Sequence, residues 1–369
     1  MRIVLTGGGT GGHLFPLLAV TKKIKEKLGP EAQLLYIGSG APMERQVMQT
    51  EGIPAKYVAS GKMRRYFSFQ NFVDIFKVPI GFVQSLWILL WYMPDVVFSK
   101  GGYVAVPVVL AARIYRIPVM IHESDAIPGT ANKFLAKYAT RIAVAYPEAQ
   151  SYFPMKKTAL LGNPVREGAL GGNPPMLLKQ LGFTESKKTL LVMGGSQGSE
   201  IINKAVVEIL PQLLKNVQVI HQTGDKNYEV VVRMAGERGV KAGRDGYAPV
   251  NFMDDKLLRD SLELCDLVIS RAGANSIAEI AAHAKPAILI PLSSSANDHQ
   301  RMNAYALAQV GGALVLDEPN LGANMLLGKI EQIMFSEDKA PQMSERIKAF
   351  YHPHAAEVIA NGVIELGAM

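Results

Sequence analysis

Three glycine-rich turns, each set between a short apolar run and a helical pattern, restrict this chain more than any other feature. They read Gly7-Gly8-Gly9-Thr10-Gly11-Gly12-His13, Lys100-Gly101-Gly102-Tyr103 and Gly194-Gly195-Ser196-Gln197-Gly198. The runs before them are Ile3-Val4-Leu5, Val96-Val97-Phe98 and Leu190-Leu191-Val192. Backbone without Cβ atoms lets N–H groups close on an anion, and the helix behind adds the positive end of its dipole. Two such turns early in the chain and one past its middle predict two similar halves facing one anionic ligand.

The rest of the chain repeats the alternation. Strand-like runs fall at Ile3–Thr6, Leu34–Ile37, Lys56–Ala59, Val96–Ser99, Val119–His122 and Ile142–Ala145. A second set falls at Thr189–Met193, Val217–His221, Val250–Met253, Leu267–Ser270, Ala287–Ile290 and Ala313–Val315. They are short, rich in Val, Ile and Leu, and do not alternate with polar residues, as strands covered on both faces do. The expected fold class is α/β, with two Rossmann-like domains. A length of 369 residues also exceeds one ordinary core. Gly162-Asn163-Pro164 and Gly171-Gly172-Asn173-Pro174-Pro175 punctuate the middle, so the domains are expected at 1–163 and 164–351. The apolar spacing of Ala356, Val358, Ile359, Val363, Ile364 and Leu366 predicts a final helix, expected within 352–369 and returning to the first domain.

The net charge of +7 suits phosphate ligands or an acidic membrane surface. No basic block interleaved with aromatics points to nucleic acid. The single cysteine, Cys265, sits in an apolar context and reads as a small core residue. It excludes an internal disulfide and fits a reducing compartment. Met1-Arg2-Ile3 leads straight into a strand, without a signal-peptide layout.

Polar clusters stand at the expected strand ends, where open α/β sheets place ligand groups. His13 closes the first loop, as a general base, a donor to phosphate or sugar, or a helix cap. His122-Glu123-Ser124-Asp125 offers acid–base chemistry or hydroxyl recognition, and its spacing is poor for a metal. Ser270 to Glu279 runs from a strand end through small residues into a helix, where Glu279 can accept the hydroxyls of a ribose or cap the helix. Asn297-Asp298-His299-Gln300 forms a further cluster. No Asp-x-Asp motif stands at a strand end, and no metal or cofactor is expected.

One stretch differs in character. Gly61-Lys62-Met63-Arg64-Arg65-Tyr66-Phe67 leads into an apolar segment holding both tryptophans, Trp87 and Trp91. Its uncharged run Val78–Met93 is shorter than the roughly 20 residues that span a bilayer. Part of it reads as core helix, the rest as a surface resting on anionic lipid.

In this order, these motifs resemble the bacterial peptidoglycan glycosyltransferases of family 28, which convert lipid I to lipid II. Gly61-Lys62-Met63-Arg64-Arg65, Ser99 to Val104, Gly162 to Arg166 and Asp298-His299-Gln300 with Asn303 complete the set, over nearly the whole chain. The resemblance implies the GT-B architecture, two Rossmann-like domains facing a cleft, and inverting, metal-independent transfer from UDP-N-acetylglucosamine. It implies that Thr10, Gly11 and Gly12 lie at the sugar–diphosphate, and that Arg166 and Ser196 contact the donor. Met253 and the turn Ala274, Asn275, Ser276 to Glu279 then hold uridine and ribose, and Gln300 meets the sugar. The undecaprenyl-linked lipid I acceptor falls to the first domain, at Lys62, Arg64, Tyr103 and Asp125, with the patch 63–92 on the cytoplasmic membrane face. His13 ranks first as base, and Glu123 second. Ser124-Asp125 and Ala105-Val106 depart from the pattern many members carry. Rival expectations are a GT-B enzyme with another lipid or aglycone acceptor, a UDP-N-acetylglucosamine isomerase, and a non-enzymatic nucleotide-sugar-binding or membrane scaffold protein.

Overall fold

The computed structural model describes residues 1–8, 11–61, 69–195 and 197–369. The chain divides into two compact units, Met1–Arg166 with His352–Met369, and Glu167–Tyr351.

In the first unit the described residues form seven parallel strands: β1 Arg2–Thr6, β2 Gln33–Gly38, β3 Ala55–Tyr57, β4 Val96–Ser99, β5 Val119–Glu123, β6 Arg141–Val144 and β7 Thr158–Leu160. Their order is β3-β2-β1-β4-β5-β6-β7. The order reverses between β1 and β4, so loops leaving these two strands flank the switch point of the sheet. Ile3 and Leu5 of β1 and Val96 and Phe98 of β4 point into one core with Val20, Ile24, Ile359 and Val363. The last two belong to the final helix, Ala355–Gly367, whose Glu357 also pairs with Lys27 at 2.9 Å. The helix Phe69–Tyr92 docks through Gly81, where an added Cβ would lie 1.8 Å from the Ala59 carbonyl oxygen.

The second unit has six parallel strands among the described residues: β8 Lys188–Met193, β9 Val217–Gln222, β10 Tyr247–Val250, β11 Leu267–Ser270, β12 Ala287–Leu289 and β13 Ala313–Val315. Their order is β10-β9-β8-β11-β12-β13, with the switch point between β8 and β11. Leu190 and Val192 enter one core, Leu191 and Met193 another. A strand buried on both faces has no polar side, which explains the unbroken apolar runs. Cys265 is buried in the second of these cores.

One expected strand is corrected. Tyr247–Val250 pairs with β9, not Val250–Met253. Pro249 sits inside this strand without breaking the sheet, because β10 lies at its edge.

Candidate active site

In the first unit, two glycine turns pack backbone against backbone at the switch point. Gly7 (φ +140) follows β1, and an added Cβ there would stand 2.8 Å from Lys100 Cβ. Gly102 (φ +80) follows β4, and its Cβ would stand 2.8 Å from Gly8 O and 3.7 Å from His13 Cε1. Glycine is required at both positions by conformation and by space. Tyr36 braces the first turn by donating to Gly7 O at 2.8 Å. Glu44 shapes the turn after β2, accepting from Ser39 N and Gly40 N at 2.8 and 2.9 Å.

Gly11, Gly12 and His13 form the first turn of the helix Gly11–Leu28. The half-buried His13 ring therefore stands beside the Gly102 turn, and Tyr103 follows on that turn. The Arg166 guanidinium lies 4.0 Å above the ring of Phe15, one turn further along the same helix.

The end of β5 is a closed polar cluster. Glu123 Oε1 accepts from Ser124 N at 2.8 Å and Asp125 N at 3.0 Å. Its Oε2 accepts from Gly129 N at 3.0 Å and Asn132 Nδ2 at 2.9 Å. Burial and the adjacent Asp125 charge raise the Glu123 carboxyl above its ordinary value, against a smaller downward pull from the Asp125 amide, the Asn132 side chain and the Lys100 charge. With four N–H groups on its two oxygens, Glu123 clamps a loop. Asp125 is half-buried on that loop.

In the second unit the loop after β8 is equally tight. A Cβ on Gly198 would stand 1.9 Å from Thr223 O, and one on Gly224 would stand 2.2 Å from Gln197 O. Ser199 then caps the helix Glu200–Leu213. After β11, Gly273 opens the helix Ala274–Ala282, which carries Asn275, Ser276 and the half-buried Glu279. Buried Asn303 donates to Ala272 O at 3.2 Å and fixes this turn. Gln300 Oε1 accepts from Leu292 N at 3.1 Å, and a cavity at the same loop is lined by Leu292, Ser293, Asp298 and Arg301. Asn297 and Asp298 before it are left-handed, with φ of 53° and 57°. Met253 is buried in the core beside Leu191 and Ile220.

Of the expected site residues, Thr10, Lys62, Arg64 and Ser196 lie outside the described residues. The first unit gathers His13 and Tyr103 at its switch point, with Glu123 and Asp125 at the end of the neighbouring β5. The second gathers Ala274 to Glu279 at the end of β11. Three charges support these loops: Lys100 and Arg271, which stand within the sequence motifs without a role assigned from them, and Glu318, which no motif contains. Arg271 and Glu318 pair at 2.6 Å behind the β8 loop. The only sequence signal for Lys100 and Arg271 is a basic residue directly after a buried strand.

Two parallel-sheet units with glycine turns at their switch points are the frame of the GT-B class. Residues 3–144 match the glycosyltransferase family 28 N-terminal domain, and residues 189–359 match the family 28 C-terminal domain. The chain belongs to glycosyltransferase family 28. A Clostridium perfringens relative is 41% identical over 339 residues, 92% of this chain and 91% of its own. A Bacillus pumilus relative is 37% identical over 370 residues, 99% of both. Both are named UDP-N-acetylglucosamine–N-acetylmuramyl-(pentapeptide) pyrophosphoryl-undecaprenol N-acetylglucosamine transferase. The crystal structure of Acinetobacter baumannii MurG superposes with a TM-score of 0.77 at 25% identity, covering 99% of each chain. The UDP-GlcNAc 2-epimerase from Neisseria meningitidis, at 12% identity and a TM-score of 0.69 over 99% of this chain and 100% of its own, shares the fold alone.

Proposed function

We propose that this chain moves N-acetylglucosamine from UDP-N-acetylglucosamine to the MurNAc C4 hydroxyl of undecaprenyl-linked lipid I, with inversion, giving lipid II for peptidoglycan synthesis. The observation that carries this function is the near-full-length likeness to transferases named for the same donor and acceptor.

The chemistry is one displacement. The acceptor hydroxyl attacks the anomeric carbon from the face opposite UDP, and its proton passes to a base as the bond forms. His13 takes that role. Its ring stands at a switch point beside a turn that admits no side chain at Gly102. Glu123 is the weaker candidate, since its oxygens already hold four donors. Charge builds on the departing diphosphate and needs fixed donors. Gly11 and Gly12, with Thr10 before them, bring helix N-terminal amides to the sugar–diphosphate; Arg166 and Ser196 add donor contacts. The second unit holds the nucleoside, with Ala274–Ser276 and the main chain of Met253, whose side chain is buried in the core, at the uridine, Glu279 at the ribose and Gln300 at the sugar. Lys62, Arg64, Tyr103 and Asp125 serve the acceptor.

Membrane contact belongs to the helix Phe69–Tyr92. Ile80, Val83, Trp87, Leu90 and Trp91 recur at helical spacing and are all exposed, Trp87 by 58% and Trp91 by 79%. No helix among the described residues is long and apolar enough to cross a membrane. An apolar stripe with interfacial tryptophans, preceded in sequence by Lys62, Arg64 and Arg65, suits a peripheral site on the cytoplasmic leaflet.

The test is UDP release from UDP-N-acetylglucosamine with and without a lipid I analogue. Release that requires the acceptor supports transfer. Acceptor-independent conversion of the sugar nucleotide would support an isomerase instead.

A further inference from the structure

Lys100 is the last residue before the Gly101-Gly102 turn, and it is only 2% exposed. A buried ammonium is costly unless every proton finds an acceptor. Its Nζ donates to His122 Nδ1 and to Ser124 Oγ. With Nδ1 accepting, the His122 proton sits on Nε2 and is donated to Gly162 O at 2.9 Å. Burial and the Lys100 charge hold the imidazole well below its ordinary pKa, so it stays neutral. Ser124 Oγ, receiving from Lys100, donates to Asn163 Oδ1 at 3.0 Å.

Both relays end on consecutive residues, Gly162 and Asn163, just before the chain leaves the first unit after Arg166. Gly162 (φ +83) also abuts the returning chain: an added Cβ would lie 2.4 Å from His352 Cβ. One ammonium therefore holds the β5 end loop and the exit segment together. Burial lowers Lys100 to about 8, against which Glu123 and Asp125 pull upward, so the cluster carries its own counter-charge. The Lys100 backbone N donates to Thr6 O at 2.9 Å, and its Cβ would stand 2.8 Å from a Cβ added at Gly7 in the first loop.

We infer that Lys100 is a positioning residue for the acceptor side of the site, fixing the loop His122–Asp125 and the segment Gly162–Asn163 in one arrangement. This rests on the proposed transfer only in naming the acceptor.

The test is Lys100→Met in the full chain, with steady-state kinetics for donor and lipid I analogue and with amide hydrogen exchange. The acceptor KM should rise at least about tenfold while the donor KM stays within about twofold. Exchange at the Ser124, Asp125 and Gly129 amides, which Glu123 holds, should quicken by about tenfold or more. Unchanged acceptor kinetics, or equal losses on both substrates, would overturn the inference, as would unchanged exchange. If Lys100→Met does not fold, Ser124→Ala breaks one relay and leaves the ammonium in place. It should still raise the acceptor KM selectively, and an unchanged value overturns the inference. A wild-type chain that transfers nothing to lipid I would sink the proposed function, while the exchange measurement still judges Lys100.

Discussion

The guanidinium of Arg271 meets the carboxylate of Glu318 at 2.6 Å, with both side chains nearly buried. Arg271 also donates to Ser199 Oγ at 2.7 Å and to Ile290 O at 3.1 Å. One side chain thus ties the loop after β8, the end of β12 and the segment after β13. Burial pushes the Glu318 carboxyl up, but its hydrogen bonds with Ser293 and Arg271 outweigh this and hold it below its ordinary value. Arg271→Met should cost about 3 kcal/mol by leaving Glu318 without its cation. It should also raise the KM for UDP-N-acetylglucosamine by about tenfold. Urea unfolding and donor kinetics check both, and wild-type values in both would contradict the assigned role.

His13→Ala should lower turnover by about 100-fold or more, with donor binding intact by calorimetry. Glu123→Gln should instead loosen the loop 124–129, because it replaces an acceptor oxygen facing N–H donors with an amide donor. Unchanged turnover in His13→Ala would remove that residue as base.

The second unit carries a pH-sensitive support. His221 is buried, accepting from the Tyr247 hydroxyl at Nδ1 and donating from Nε2 to Asn203 Oδ1, both at 3.0 Å. Burial lowers its pKa from 6.5 to about 3. The unfolded chain takes up this proton near pH 6.5 and the folded chain resists it. Stability present above pH 6.5 is therefore lost as pH falls toward 3, by about 2 kcal/mol at pH 5. Buried His122 acts in the same direction. Urea midpoints at pH 7 and pH 5 should fall further in the wild type than in His221→Gln; equal falls would contradict this.

Trp87→Ser with Trp91→Ser should abolish most sedimentation with anionic vesicles and leave UDP-N-acetylglucosamine binding unchanged. Vesicle binding equal to wild type would remove the helix Phe69–Tyr92 as the membrane contact.

The frame was legible in the sequence because its causes are local. A short apolar run such as Leu190-Leu191-Val192, closed at once by a glycine turn, reads as a doubly covered strand, and glycine marks turns such as Gly102 and Gly198 where nothing larger fits. β10 was misplaced because Pro249 argues against a strand until its edge position is known. Three-residue β7, next to Lys156 and Lys157, gave no apolar signal. The charges that stiffen the site were illegible for a different reason. Lysine and arginine are ordinarily solvated, and burial of Lys100 and Arg271 depends on partners far along the chain, such as Ser124 and Glu318. Glu123 was legible as a polar strand end, but the return of Gly129 and of the helix residue Asn132 to its carboxylate depends on a loop path the sequence did not reveal.

The most direct measurement is UDP release from UDP-N-acetylglucosamine by the full chain, with a lipid I analogue present or withheld. Release that depends on the analogue, with a new β-linked N-acetylglucosamine on its C4 oxygen, is the predicted result. Binding of UDP with no release in the presence of the analogue, or epimerisation of the sugar without it, would contradict the account.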